Sequence, residues 1–123
     1  MQETYLSFYL KSNRIHVFVE TLRGIGKPSR ICFMIEENGK TLLIVPYDKR
    51  DFKSHSVPPE VYSGTVGMEI SSFKLCHIIA NLYNWDLSHS YRVPGRVSSE
   101  QKVAIFDLTK AVVIEHSEME ISE

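Results

Sequence analysis

Four basic residues in the first half of the sequence have a spacing that suits contact with nucleic acid. They lie between positions 14 and 30, around one predicted strand, one helix and one turn, and they are Arg14, Arg23, Lys27 and Arg30. Each DNA phosphate that such a side chain neutralises releases counterions, so affinity for duplex DNA should fall with salt, with a slope of about 0.9 per contact. The group predicts a DNA-binding face. The alternative is that these are solvated surface cations paired with nearby carboxylates, those of Glu20, Glu36 and Glu37.

A second group of residues suits a protein interface. Tyr83, Trp85 and Tyr91 follow the longest predicted helix, and Trp and Tyr are enriched at binding hot spots. An exposed Trp85 would anchor a partner, whereas a buried one would belong to the core. The segment 49–53 combines three cations with Phe52, which suits either stacking on single-stranded nucleic acid or a solvated linker.

The sequence has no pattern typical of an enzyme or a metal site. Its five histidines are dispersed, without HxH or HExxH spacing, and no GxSxG motif is present. Cys32 and Cys76 do not form a CxxC pair and are expected to be buried, reduced thiols. We therefore expect a protein without catalytic activity, metal or cofactor.

Composition places the chain among ordinary globular proteins. With 123 residues, 43% of them hydrophobic and 24% charged, it can bury a core without disulfides, which excludes disordered and disulfide-scaffold classes. It contains no run of 18–20 apolar residues and its start does not resemble a secretion signal, so we expect a soluble, cytoplasmic protein without membrane partners. Residues 1–60 carry nine basic and seven acidic side chains and residues 61–123 carry five and eight, so a basic surface should belong to the first half.

The same order of elements is predicted twice: a strand, a helix and then a hairpin. Unit one covers residues 5–46, a linker covers 47–64, and unit two covers 65–114. The Asn38–Gly39 pair between two apolar runs is a strong hairpin signal, whereas Pro94 predicts an edge or a bulge in its strand. We expect one α+β domain over 1–114, a small β-barrel of two interlocked units with pseudo-two-fold symmetry, followed by an acidic flexible tail over 115–123.

The predicted helix around residues 73–83 is the longest in the chain. Its apolar residues cover much of its circumference, so we expect it to be the most buried helix, packed on both sides.

Residues 13–46 resemble the AbrB-type swapped-hairpin regulators (SpoVT-AbrB type). The resemblance rests on Asn13–Arg14 before an apolar strand, Leu22–Arg23 in a short helix, and a following hairpin that ends at Pro46. A single chain with two such units resembles the MraZ family. The resemblance implies an interdigitated barrel in which basic residues at the strand start and in the helix, here Arg14 and Arg23, contact DNA phosphates. The sequence departs from the pattern at Phe18, where the family usually has proline.

Together these features predict a DNA-binding regulatory protein that uses duplex DNA as its partner and self-associates into a homo-oligomer. The alternative is a non-catalytic protein-interaction or assembly module with an unknown partner.

Overall fold

In the computed structural model, which describes residues 2–114, nine strands and two short helices make up most of the chain. The strands are β1 (Gln2–Tyr9), β2 (Arg14–Phe18), β3 (Arg30–Ile35), β4 (Thr41–Pro46), β5 (Ser54–Ser56), β6 (Gly67–Ser71), β7 (Ser90–Ser98), β8 (Val103–Asp107) and β9 (Val112–Ile114). The helices are α1 (Val19–Gly24) and α2 (Phe73–Tyr83), with 3-10 helices at Pro59–Ser63 and Leu108–Lys110. The predicted acidic tail, 115–123, lies outside the described residues.

The strands form a single antiparallel sheet that curls into a nearly closed barrel. Their order across the sheet is β5-β3-β4-β8-β7-β1-β2-β6, with β9 added beside β7. The fold is therefore α+β, as the sequence predicts. Within residues 2–114 no helix is both long enough and apolar enough to cross a membrane.

Alternating apolar residues fill the barrel. Along β1 the inward side chains Leu6 and Phe8 are fully buried, and Ile15 and Val17 of β2 pack beside them. Side chains of this kind each contribute about 1.5–3 kcal/mol when they leave water. The period of two along these strands fixes which residues face outward, and it is the outward set that can contact a partner.

Local turn chemistry explains the strand ends. Asn13 at the β1–β2 turn adopts a left-handed conformation with φ of 55°, and Gly39 at the β3–β4 turn has φ of 71°. Asparagine and glycine tolerate this region better than other residues. The Asn38–Gly39 hairpin signal is confirmed.

The segment 47–64 is more than a linker. It contains β5, which pairs with β3 from Arg30 opposite Ser56 to Cys32 opposite Ser54, and the 3-10 helix Pro59–Ser63. β5 was not predicted from the sequence, because its three polar residues lack the apolar alternation that indicates a strand.

Helix α2 is less buried than its composition predicts. Cys76, Ile79 and Ala80 face the core, but Phe73 is 65% exposed and Leu82 is 55% exposed. The prediction that α2 packs on both sides is wrong, because the barrel covers only one of its faces.

Pro94 lies inside β7, an internal strand. β7 pairs with β1 along most of its length, and on its other side it pairs with β9 at residues 90–92 and with β8 at residues 95–98. Pro94 falls between those two partners, so on that side no ladder hydrogen bond needs the amide hydrogen that proline lacks.

The two units share strand pairs and helix contacts. β2 of unit one pairs with β6 of unit two, and β4 pairs with β8. Helix α1 approaches the other unit's hairpin so closely that a Cβ on Gly24 would overlap the Val97 side chain. In return, the Tyr83 hydroxyl at the end of α2 donates a 2.5 Å hydrogen bond to the Gly39 carbonyl in the hairpin of unit one. Each helix thus contacts the hairpin of the other unit.

Candidate nucleic-acid interface

Arg14 begins β2 and is the one predicted DNA contact that meets a carboxylate within the described chain. Its guanidinium lies 3.2 Å from a carboxylate oxygen of Glu69 on the neighbouring strand β6, and both side chains are about half exposed. An exposed pair of this kind contributes at most about 1 kcal/mol. Arg14 therefore remains accessible to an anion, with part of its charge offset by Glu69.

Arg23 holds the segment after the 3-10 helix in place. Its guanidinium donates to the carbonyl oxygens of Tyr62, at 3.0 Å, and Gly64, at 2.8 Å. Because both acceptors are neutral, the positive charge of Arg23 is not cancelled. The hydroxyl of Tyr62 in turn donates to the Pro28 carbonyl at 2.6 Å, and burial raises the pKa of Tyr62 to about 12.

Lys27 and Arg30 follow α1. Lys27 is exposed, has a left-handed φ of 54°, and donates its backbone N–H to the Leu22 carbonyl at the end of the helix. Arg30 is half-buried and its Nε donates to the Ser54 hydroxyl at 2.9 Å. Burial first, and then the nearby Arg30 charge, hold the pKa of His55 below its ordinary value.

The four cations lie on different elements of unit one: Arg14 and Arg30 begin β2 and β3, Arg23 lies in the last turn of α1, and Lys27 lies in the turn after it. Arg14 stands at the far end of the five-residue strand β2 from α1, about 13 Å away along the strand. Among residues 2–114 none of the four predicted cations forms an ion pair with Glu20, Glu36 or Glu37. Three of the four have no carboxylate partner in that part of the chain.

The outer face of the sheet carries a polar row that the sequence analysis missed. Ser7 on β1 lies directly opposite Arg92 on β7 and opposite His16 on β2. All three side chains point outward, since their strand neighbours face the core. The outward position of Ser7 could be predicted from the alternation along β1, but its proximity to Arg92 depends on the register between distant strands.

None of these three side chains has a hydrogen-bond or ion-pair partner among the described residues. The Ser7 hydroxyl and the Arg92 Nε are buried without a partner, and Ser7 has no exposed surface. The Arg92 guanidinium lies 5.4 Å from the centre of the Tyr5 ring, and the His16 ring meets the Phe18 ring edge-on at 4.5 Å. The row thus consists of polar side chains that lie beside aromatic rings and lack hydrogen-bond partners among the described residues.

The predicted aromatic interface packs against the barrel. The rings of Trp85 and Tyr91 stack with centres 4.4 Å apart, and Phe8 meets Trp85 edge-on at 5.4 Å. Tyr91 is buried and its hydroxyl accepts the Asp86 backbone N–H at 2.9 Å. The structure therefore brings Tyr83, Trp85 and Tyr91 together, with Trp85 half-buried and part of the wall of the core.

The two cysteines are free and buried, as predicted. Burial raises the pKa of Cys76 to about 11 and also raises the pKa of Cys32. Both thiols are thus protonated near neutral pH and are poor nucleophiles. Within residues 2–114 no three His, Cys, Asp or Glu side chains are placed to hold a metal ion.

Comparison of the chain with protein-family models, with curated proteins and with solved structures found no match.

Proposed function

We propose that the protein is a non-enzymatic, DNA-binding regulator, and that its two units form a pseudo-symmetric barrel like that of the AbrB-type swapped-hairpin regulators. The β2–β6 and β4–β8 pairings support this architecture, because equivalent strands of the two units pair with each other. The exchanged helix contacts at Gly24 and Tyr83 support it as well.

One observation carries the proposed activity: three of the four predicted cations have no carboxylate partner among the described residues. Arg23 bonds only to carbonyl oxygens, Arg30 bonds to a hydroxyl, and Lys27 has no ion-pair partner among the described residues. A folded domain gains little from such cations by themselves, whereas a polyanion would meet charges that no carboxylate opposes.

The distribution of charge along the chain also favours a polyanionic partner. Four of the 15 acidic residues lie in 115–123, which leaves 14 basic and 11 acidic residues in the rest of the chain. The near-neutral total thus hides a domain with a net charge of about +3 at neutral pH.

Fluorescence anisotropy with labelled duplex DNA at low and at physiological salt tests the proposal. The double variant Arg14→Gln/Lys27→Gln should weaken binding about tenfold or more and reduce the salt slope by roughly 1.8, the value for two lost phosphate contacts. Lys49→Gln, which removes an exposed cation outside the proposed face, is the matched control and should have a small effect. Absence of binding by the unaltered chain at low salt would refute the proposal.

A second candidate function, a protein-interaction module, is favoured by the exposed face of α2. Ile78 and Leu82, four residues apart on one face of the helix, are 40% and 55% exposed, and Phe73 in the first turn is 65% exposed. Size-exclusion chromatography with light scattering tests it, because Leu82→Ser should shift the protein toward a smaller species if this face joins copies of the chain.

A further inference from the structure

We propose that Arg92, Ser7 and His16 form a phosphate-binding site on the outer face of the barrel. This goes beyond the four DNA contacts proposed for unit one, because none of the three residues is among them and Arg92 lies in unit two. For a nucleic-acid phosphate the inference rests on the proposed function, whereas for a free phosphate it stands independently.

Two polar groups in this row lack, among the described residues, the hydrogen bonds that buried groups normally make. The Ser7 hydroxyl and the Arg92 Nε are buried without a partner. A buried polar group that lacks a hydrogen bond costs about 1–3 kcal/mol, and most such groups in folded proteins have a partner. Two neighbouring unsatisfied groups, directly opposite each other on adjacent strands, point to a ligand that supplies the missing bonds.

The hydrogen-bond donors of Arg92, Ser7 and His16 match the oxygen atoms of a phosphate. Arginine presents a planar fork of N–H groups that matches phosphate oxygens, and the serine hydroxyl and the histidine ring each donate one further hydrogen bond. The three residues occupy one row across adjacent strands, so the backbones of β7 and β2 are about 10 Å apart. That gap accommodates one tetrahedral anion above Ser7, between the two longer side chains.

The charges around the three side chains also favour an anion. Glu69 on β6 is the carboxylate nearest in register, directly opposite His16, and it is already engaged with Arg14. The ion pair reduces the repulsion that Glu69 would exert on an anion. Arg92 has no carboxylate partner among the described residues, and its guanidinium contacts the Tyr5 ring. No carboxylate in that part of the chain therefore offsets its positive charge.

Access requires one side chain to move. Ser7 has no exposed surface and His16 is only 9% exposed, so an anion reaches them only when a neighbouring side chain moves, and the partly exposed Arg92, directly opposite Ser7, is positioned to do so. Within the described chain no hydrogen bond or ion pair holds Arg92, and a cation–π contact at a partly exposed position contributes only about 0.5–1 kcal/mol. Arg92 can therefore open the site and then close on the bound phosphate.

The test uses the full chain and inorganic phosphate as the first probe. In NMR titrations the Arg92 side-chain Nε–H signal and the Ser7 amide signal should shift and saturate together. Arg92→Gln should weaken phosphate binding about tenfold or more, and Ser7→Ala should weaken it severalfold without loss of folding, because it removes an unsatisfied group. Arg96→Gln removes an outward cation on the same strand, opposite Glu3, and as the matched control should change binding less than twofold.

A second titration, with duplex DNA, distinguishes the source of the phosphate. A shift of the same Arg92 signal by DNA assigns the site to a backbone phosphate. A shift by inorganic phosphate alone assigns the site to a free phosphate and excludes contact between DNA and Arg92. DNA binding that leaves the Arg92 signal unmoved, together with no response to phosphate, would overturn the site and leave the proposed function standing. Equal effects of Arg92→Gln and Arg96→Gln would also overturn it, since they would indicate non-specific charge attraction.

Discussion

Helix α1 of unit one and helix α2 of unit two present opposite kinds of surface. Helix α1 has six residues, buries Val19, Thr21 and Leu22, and exposes the charged Glu20 and Arg23. Helix α2 has eleven residues, is capped by the Ser72 hydroxyl, and exposes apolar side chains. These exposed side chains are Phe73, Ile78 and Leu82.

The two units therefore offer different surfaces. Three cations of unit one have no carboxylate partner among the described residues, a property that would suit a polyanion, whereas unit two exposes apolar side chains on α2, a property that would suit a protein surface. The units remain one structure because they share strand pairs and exchange helix contacts. Variants at these shared contacts test how far the two units depend on each other.

The largest effect should come from Gly67→Ala, at the start of β6. Gly67 has φ of 134°, and a Cβ there would overlap the Val17 carbonyl and the Phe18 backbone of β2. We expect a loss of about 3 kcal/mol in the free energy of unfolding, measured by urea denaturation. Gly64→Ala, at a negative φ and with only ordinary contacts around the new Cβ, should change stability by less than about 0.5 kcal/mol. Equal effects of the two variants would show that the β2–β6 crossing is not tightly packed.

Gly24→Ala should have the next largest effect, because it tests the contact of α1 with the hairpin of unit two. The new methyl group would overlap the Val97 side chain. Overpacking of this kind costs about 1–3 kcal/mol. The double variant Gly24→Ala/Val97→Ala should lose less stability than the sum of the two single variants in the same denaturation assay, and strictly additive losses would contradict the contact.

Tyr83→Phe tests the reciprocal contact of α2 with the hairpin of unit one. It removes the hydrogen bond to the Gly39 carbonyl while keeping the ring, so we expect a loss of about 1 kcal/mol in the free energy of unfolding. Hydrogen exchange at the β3–β4 turn should become faster in this variant. A variant with unchanged stability and exchange would show that the bond does not connect the units.

The smallest effect should be a pH dependence that comes from His55 on β5. Because the pKa of His55 is lowered in the fold, the unfolded chain binds this proton more readily than the folded one. Stability should therefore fall as the pH drops below 6.5 toward the folded pKa, and His55→Gln should reduce that fall. The lowered carboxyl pKa values of Asp51, Asp86 and Asp107 act only below about pH 4, so urea titrations between pH 7 and 5 exclude these three groups, and the comparison with His55→Gln gives the contribution of His55. An equal fall in the His55→Gln variant would contradict this assignment.

Local signals in the sequence were sufficient to predict most of the fold. The Asn38–Gly39 turn is a signal that acts within a few residues, and it is confirmed by the pairing of β3 with β4. β5 was missed because its ladder with β3 depends on a distant partner. The exposure of α2 was missed because composition does not reveal how much of a helix the barrel covers.

The candidate site was predictable only in part, for a related reason. The cations of unit one lie close together in sequence, so they could be proposed from spacing. The row of Arg92, Ser7 and His16 arises from the register of three strands, two of which are far apart in sequence. No local pattern encodes that register.

The most direct test of the account is a map of backbone amide shifts in the full chain on addition of duplex DNA at low salt. We predict that the shifts concentrate on β2, on α1 and its following turn around Lys27, and on the outward row at Arg92, while the exposed face of α2 is unchanged. Shifts centred on Phe73, Ile78 and Leu82, or no shifts at all, would contradict the assignment of the polyanion contact to unit one.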